Sequence, residues 1–159
     1  MTARRPPPLA DLYEADETAW LDAMARLAAR GDGAGLDYPH LAEYLSDMAK
    51  RDKREVESRL AILLAHLLKW RYQPDKRTRS WQATTAAQRQ ALRRLLDSRS
   101  LRNHAGGVLA AVYADGVEQA AIDTGLPATT FPPVCPYTLD EVLAGTTLGE
   151  PSGGESQDA

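Results

Sequence analysis

Residues 38–74 read YPHLAEYLSDMAKRDKREVESRLAILLAHLLKWRYQP, and this stretch decides the fold. Between Pro39 and Pro74 there is neither glycine nor proline, so nothing interrupts a helix from about 38 to 72, roughly 50 Å long at ~1.5 Å per residue. Asp37 is a good residue for its N-cap, and proline is tolerated in a first helical turn. At about 100° per residue, Leu41, Leu45, Met48, Val56, Leu60, Leu63, Leu67 and Trp70 gather on one side, as a face turned to a core should. Asp52, Arg59 and His66, spaced seven apart, fall on that same side, with Glu55 at its edge. A charged group on an apolar face must be paired or reach water. Glu55 and Arg59 at i, i+4 can pair along the helix, and His66 can join through a further carboxylate or a backbone carbonyl. The expected role of Asp52, Glu55, Arg59 and His66 is a polar seam that fixes packing register, with ligand binding or catalysis ranked behind it.

Upstream of this helix, Pro6-Pro7-Pro8 blocks helix formation, and Tyr13, Trp20, Ala23, Met24 and Leu27 recur at helical spacing over 11–30. Gly31-Asp32-Gly33-Ala34-Gly35 then stops the run. Downstream, Pro74 closes the long helix, and Ser80 is the expected cap of a third helix reaching about Asp97. Trp81, Leu92, Leu95 and Leu96 form its inner side, with Arg89, Arg93 and Arg94 outward. Ser98 or Ser100 restarts a helix to about Thr124, where Gly125 and Pro127 end it. Gly106 and Gly107 inside that helix suggest either a close neighbour or a local break. Three prolines within 132–136 forbid helix, so residues 130–137 should form an extended strap anchored by Phe131, Val134 and Tyr137. Thr138 and Glu141 have capping-box spacing and open a short last helix. Nothing alternates like a strand. The expectation is an all-α fold, a small bundle of about four main helices with one long central helix, a proline-rich strap and a short final helix. Residues 1–10 are expected to be a flexible tail, 11–144 a single helical domain and 145–159 a disordered tail.

The chain has 159 residues, 43% hydrophobic and 26% charged, with a formal net charge of −3. That sum hides a pattern: residues 1–49 carry 4 basic and 9 acidic side chains, 50–104 carry 15 and 5, and 105–159 carry none and 8. Alone, the central segment would look like a phosphate-binding surface; acidic flanks folded against it would cancel its field. The single cysteine, Cys135, excludes an internal disulfide and a four-cysteine zinc site. No apolar run spans a bilayer, and the Arg4-Arg5 pair has no apolar stretch after it, so the expected location is cytoplasmic.

No phosphate-binding loop, dinucleotide fingerprint, His-Glu-x-x-His or nucleophile-elbow motif occurs, and no catalytic residue or cofactor is assigned. His66 and His104 are the metal-ligand candidates, ranked last among the readings, and His40 with Glu43 repeats a ligand-compatible spacing. Cys135 lacks a basic sequence neighbour and reads as an inert thiol. The strongest binding pattern is the basic and aromatic corner at 69–81, where Lys69, Arg71, Lys76, Arg77 and Arg79 could contact phosphates and Tyr72 could stack on a base. Against it, Trp70 and Trp81 can be core anchors of a helical corner.

Taken together, Arg54-Glu55-Val56-Glu57-Ser58-Arg59-Leu60, then His66 to Pro74, Arg79-Ser80-Trp81, and finally Thr124-Gly125-Leu126 with Phe131 to Leu139 resemble the bacterial family catalogued as domain of unknown function 29. The resemblance covers roughly residues 11–144. Tyr44 stands where the family usually has a second acidic residue after Glu43, and Ala49 where it often has glycine. The resemblance implies a small helical bacterial protein and no particular activity. The resulting expectation is a non-enzymatic interaction protein whose partner is a second copy or another protein, with nucleic acid ranked behind and no membrane.

Overall fold

The computed structural model describes residues 7–145. Of the tails expected at 1–10 and 145–159, residues 1–6 and 146–159 lie outside the described residues, whereas Leu9 and Ala10 belong to the first helix and Gly145 ends the last one. The rest is all-helical: α1 (Leu9–Ala15), α2 (Glu17–Ala29), α3 (Tyr38–Tyr72), α4 (Arg79–Leu95), α5 (Arg99–Thr124) and α6 (Leu139–Ala144), with single 3₁₀ turns at Gly33–Gly35, Pro74–Lys76 and Ala128–Thr130. The chain divides into two compact units, residues 1–50 and 51–159, with the boundary inside α3.

In the first unit the single helix expected over 11–30 is two. Asp16 leaves helical geometry (φ −156°, ψ 83°) and its carboxylate accepts the Ala19 N–H at 3.1 Å, so one residue ends α1 and caps α2. An acceptor side chain that satisfies an orphan N–H competes with helix continuation, and periodicity alone does not reveal that contest. Trp20 is fully buried, with Tyr13 edge-on at 4.8 Å and Tyr44 at 5.9 Å.

The second unit is built on the back half of α3. Val56, Leu60, Leu63, Leu64, Leu67 and Leu68 are all buried, a wider arc than one stripe, and both α4 and α5 are needed to cover it. The pairing of Arg59 with Gln88 and of Lys69 with Trp81 makes α4 antiparallel to α3. Glu57 with His104 and Lys69 with Asp123 make α5 parallel to it. Thr78, not Ser80, caps α4, its hydroxyl accepting the Trp81 N–H at 3.2 Å; of the two serines that could cap α5, Ser98 does so. Phe131 and Tyr137 anchor the strap, whereas Val134 is 76% exposed, because it lies at the outer bend between prolines whose fixed φ turns it away. Thr138 and Glu141 form the full capping box of α6.

Arg89, expected outward, is only 5% exposed and donates from Nε to the Val142 carbonyl at 2.8 Å. Arg93 donates to the carbonyls of Leu143 and Ala144. The two arginines satisfy the last carbonyls of α6, which have no partner within so short a helix and carry the negative end of its dipole.

The close-approach glycine is Gly116, not Gly106 or Gly107. A Cβ on Gly116 would lie 3.0 Å from Leu64 Cβ, while those on Gly106 and Gly107 would meet nothing within 4 Å, and α5 runs through both unbroken. Gly107→Ala should therefore stabilise by roughly 0.5–1 kcal/mol through helix propensity. Gly116→Leu should cost about 1–3 kcal/mol by forcing α5 away from α3. Urea unfolding of the two variants checks this opposite pair of signs.

Candidate functional site

The polar seam is smaller than its sequence pattern. Asp52 is exposed, outside any buried face. Glu55 and Arg59 do pair, at 2.9 Å, and Arg59 also donates to Gln88 on α4 at 3.1 Å. His66 finds the backbone carbonyl expected as one of its two possible partners: its Nδ1 lies 2.9 Å from the Ile62 carbonyl of its own helix. The front of the apolar stripe also changes, since Leu45 is 59% exposed.

The basic corner divides in two. Lys69 is only 8% exposed; its ammonium sits 3.1 Å from Asp123 and 4.7 Å above the Trp81 ring. Burial alone would raise the Asp123 pKa, but hydrogen bonds from Lys69 and Gln119, with the nearby charge of Lys69 and His66, leave it lowered. Arg71 lies against Tyr72 and hydrogen-bonds Tyr137, with its Nη1 buried and without a hydrogen-bond partner among the described residues. Tyr72 packs edge-on against Phe131 at 5.3 Å. Three of the six candidates are thus spent on the core. Lys76, Arg77 and Arg79 stay exposed, with Arg77 4.8 Å over the Trp70 ring and its Nε donating to the Trp70 carbonyl.

The histidines are committed elsewhere than to a shared ion. His104 Nε2 is 2.7 Å from Glu57 on α3, and His66 faces Ile62, so the two metal candidates do not converge. Among the described residues no group of three or more His, Cys, Asp or Glu could hold a metal. His40 pairs not with Glu43 but backward with Asp37. Burial pushes the Cys135 thiol pKa up against the opposing effect of a backbone hydrogen bond at Tyr137, with Glu141 adding to the rise, and its sulfur lies 3.4 Å from the Tyr137 carbonyl, so the neutral thiol is favoured. Burial likewise lifts Tyr113 to about 12, and its hydroxyl donates to the Pro132 carbonyl at 2.7 Å.

Two features escaped the sequence. In the first unit, the Asp37 carboxylate accepts both the Trp20 indole N–H (3.0 Å) and His40 Nδ1 (2.7 Å), while Tyr13 stacks on the His40 ring at 4.4 Å. The i, i+3 spacing of Asp37 and His40 was visible, but their partner 17 residues away was not. In the second unit, an apolar groove of about 510 Å³ runs along α5. Its floor is Ala110, Tyr113, Ala114 and Val117, and its wall is the strap from Ala128 to Pro133.

Burial alone would raise the Asp37 pKa, but the hydrogen bonds from His40 and Trp20 and the His40 charge leave it lowered. Its stabilising contribution is therefore complete above the ordinary carboxylate range and lost as pH falls through the lowered value. Asp37→Asn should be less stable than the parent above the ordinary carboxylate range, and that margin should shrink as pH falls through the lowered value. Urea unfolding followed by tryptophan fluorescence at each pH reads it. Arg59→Met, by contrast, should change stability by less than about 1 kcal/mol, because its pair with Glu55 is open to water.

The family model described as "Domain of unknown function DUF29" matches residues 12–147. No curated protein and no solved structure gives a match.

Proposed function

The chain belongs to the DUF29 family, and on that footing we propose that it is a non-enzymatic interaction protein that holds a helix of a partner protein in the groove along α5. The observation that carries this reading is the groove's build. Ala110 and Ala114 are exposed on its floor, so a second helix can approach α5 closely. Pro132 and Pro133 in its wall have no N–H to offer, which disfavours the addition of an extended strand and favours a helix whose apolar face fills the space. Exposed Val134 stands next to that wall as an apolar contact. The neutral thiol, the high tyrosine pKa and the separately paired histidines give no poised acid, base or nucleophile at the groove. No helix among the described residues is long and apolar enough to cross a membrane. Nucleic acid ranks behind because half of the expected contact set packs inward.

Ala114→Arg places a long cation on the groove floor without touching the core. In affinity capture from the source cells, followed by reconstitution with the purified partner, this variant should lose at least ~10-fold in affinity relative to the parent. An equal loss for a variant of α5 turned away from the groove, such as the exposed Asp115→Arg, or no loss at all, removes the reading.

A further inference from the structure

The first unit carries its own groove, independent of the one along α5. Leu21, Met24 and Ala28 of α2 face Leu36, Leu41 and Leu45 across an apolar depression of about 260 Å³. Leu45 at its rim and Tyr38 nearby in sequence are each more than half exposed. The unit around it is strongly acidic: residues 7–50 hold nine carboxylates against three Lys or Arg.

We propose that this acidic, apolar groove docks the basic corner after α3 of a second copy of the chain, so that two reciprocal contacts close a dimer. Charge selects the occupant. Two such acidic units face to face would bring like charges together, whereas the complement is present in the same sequence at Lys76, Arg77 and Arg79. Those cations are exposed on the turn between α3 and α4, and Arg77 is already held over Trp70 by its bond to the Trp70 carbonyl. Holding a guanidinium in place before binding lowers the entropy lost on docking. Half-buried Trp70 and the aliphatic stems of Lys76 and Arg79 supply apolar surface for the groove, while their charged ends reach the surrounding carboxylates. The contact is between different surfaces, and applying it twice about a two-fold axis closes the assembly without open-ended growth.

The test uses the full chain and two pairs of exposed charge reversals. Sedimentation velocity over a ~100-fold concentration range should show a dimer that weakens as salt rises. Asp22→Lys with Asp47→Lys should weaken it at least ~10-fold, and so should Lys76→Glu with Arg79→Glu, with circular dichroism confirming that each variant keeps its helix content. Mixed in equal amounts, the two variants should dimerise again, because both contacts regain opposite charges. A parent that stays monomeric throughout, a dimer indifferent to either reversal, or a mixture that stays monomeric overturns the proposal. So does a Lys76→Glu, Arg79→Glu variant that loses oligonucleotide binding while its dimer is intact, which would assign the corner to nucleic acid. None of these outcomes depends on the α5 groove, which Ala114→Arg probes separately.

Discussion

The back half of α3 imposes the constraint on which the second unit depends. Leu60, Leu63, Leu64, Leu67 and Leu68 are buried together and span far more of the helix circumference than a single stripe. One neighbouring helix cannot cover such an arc, and each leucine left in water would forgo about 1.5–3 kcal/mol of burial. Hence α4 folds back along one flank and α5 lies along the other. Gly116 is the cost of that arrangement in sequence terms, since only a residue without a side chain lets α5 meet Leu64 at this distance. The polar groups carried inward on the same helix must then be satisfied. Glu57 reaches His104, Lys69 reaches Asp123, and Arg71 lies among Tyr72 and Tyr137.

The same requirement explains what became of the segregated charge. Of the central basic segment, Lys69 is neutralised by Asp123 from the acidic C-terminal part, Arg89 and Arg93 cap the carbonyls of α6, and Arg102 meets Asp140 at the exposed surface. Cations that looked like a phosphate-binding surface along the chain are in part internal fittings of the bundle. What stays exposed at the corner is a smaller group, Lys76, Arg77 and Arg79, on a turn braced by Trp70.

In the first unit a single carboxylate has the corresponding role. Asp37 was legible as a helix-start residue, and the Leu41 N–H does bond to its backbone carbonyl. Its side chain, however, is used to hold Trp20 and His40, a tie between α2 and α3 across 17 residues. An N–H buried with a fully enclosed indole needs an acceptor, and the Asp37 carboxylate supplies it. Nothing in the local pattern distinguishes that use from an ordinary cap.

The long α3, the Gly125 stop and the Thr138 capping box were determined by the sequence alone, and the cap of α5 was narrowed to Ser98 or Ser100, because each rests on interactions among residues within a turn or two of one another. The break at Asp16, the cap at Thr78 rather than Ser80, and the outward Val134 lay just beyond it, in contests between neighbouring residues of similar propensity. Which charges are buried, which of the six corner residues are free, that His66 turns back on its own helix, and that a groove opens beside α5 were decided only by tertiary structure. Those properties depend on which surfaces meet, and residues 47 or 54 positions apart, such as Glu57 with His104 and Lys69 with Asp123, leave no periodic trace in the chain that joins them.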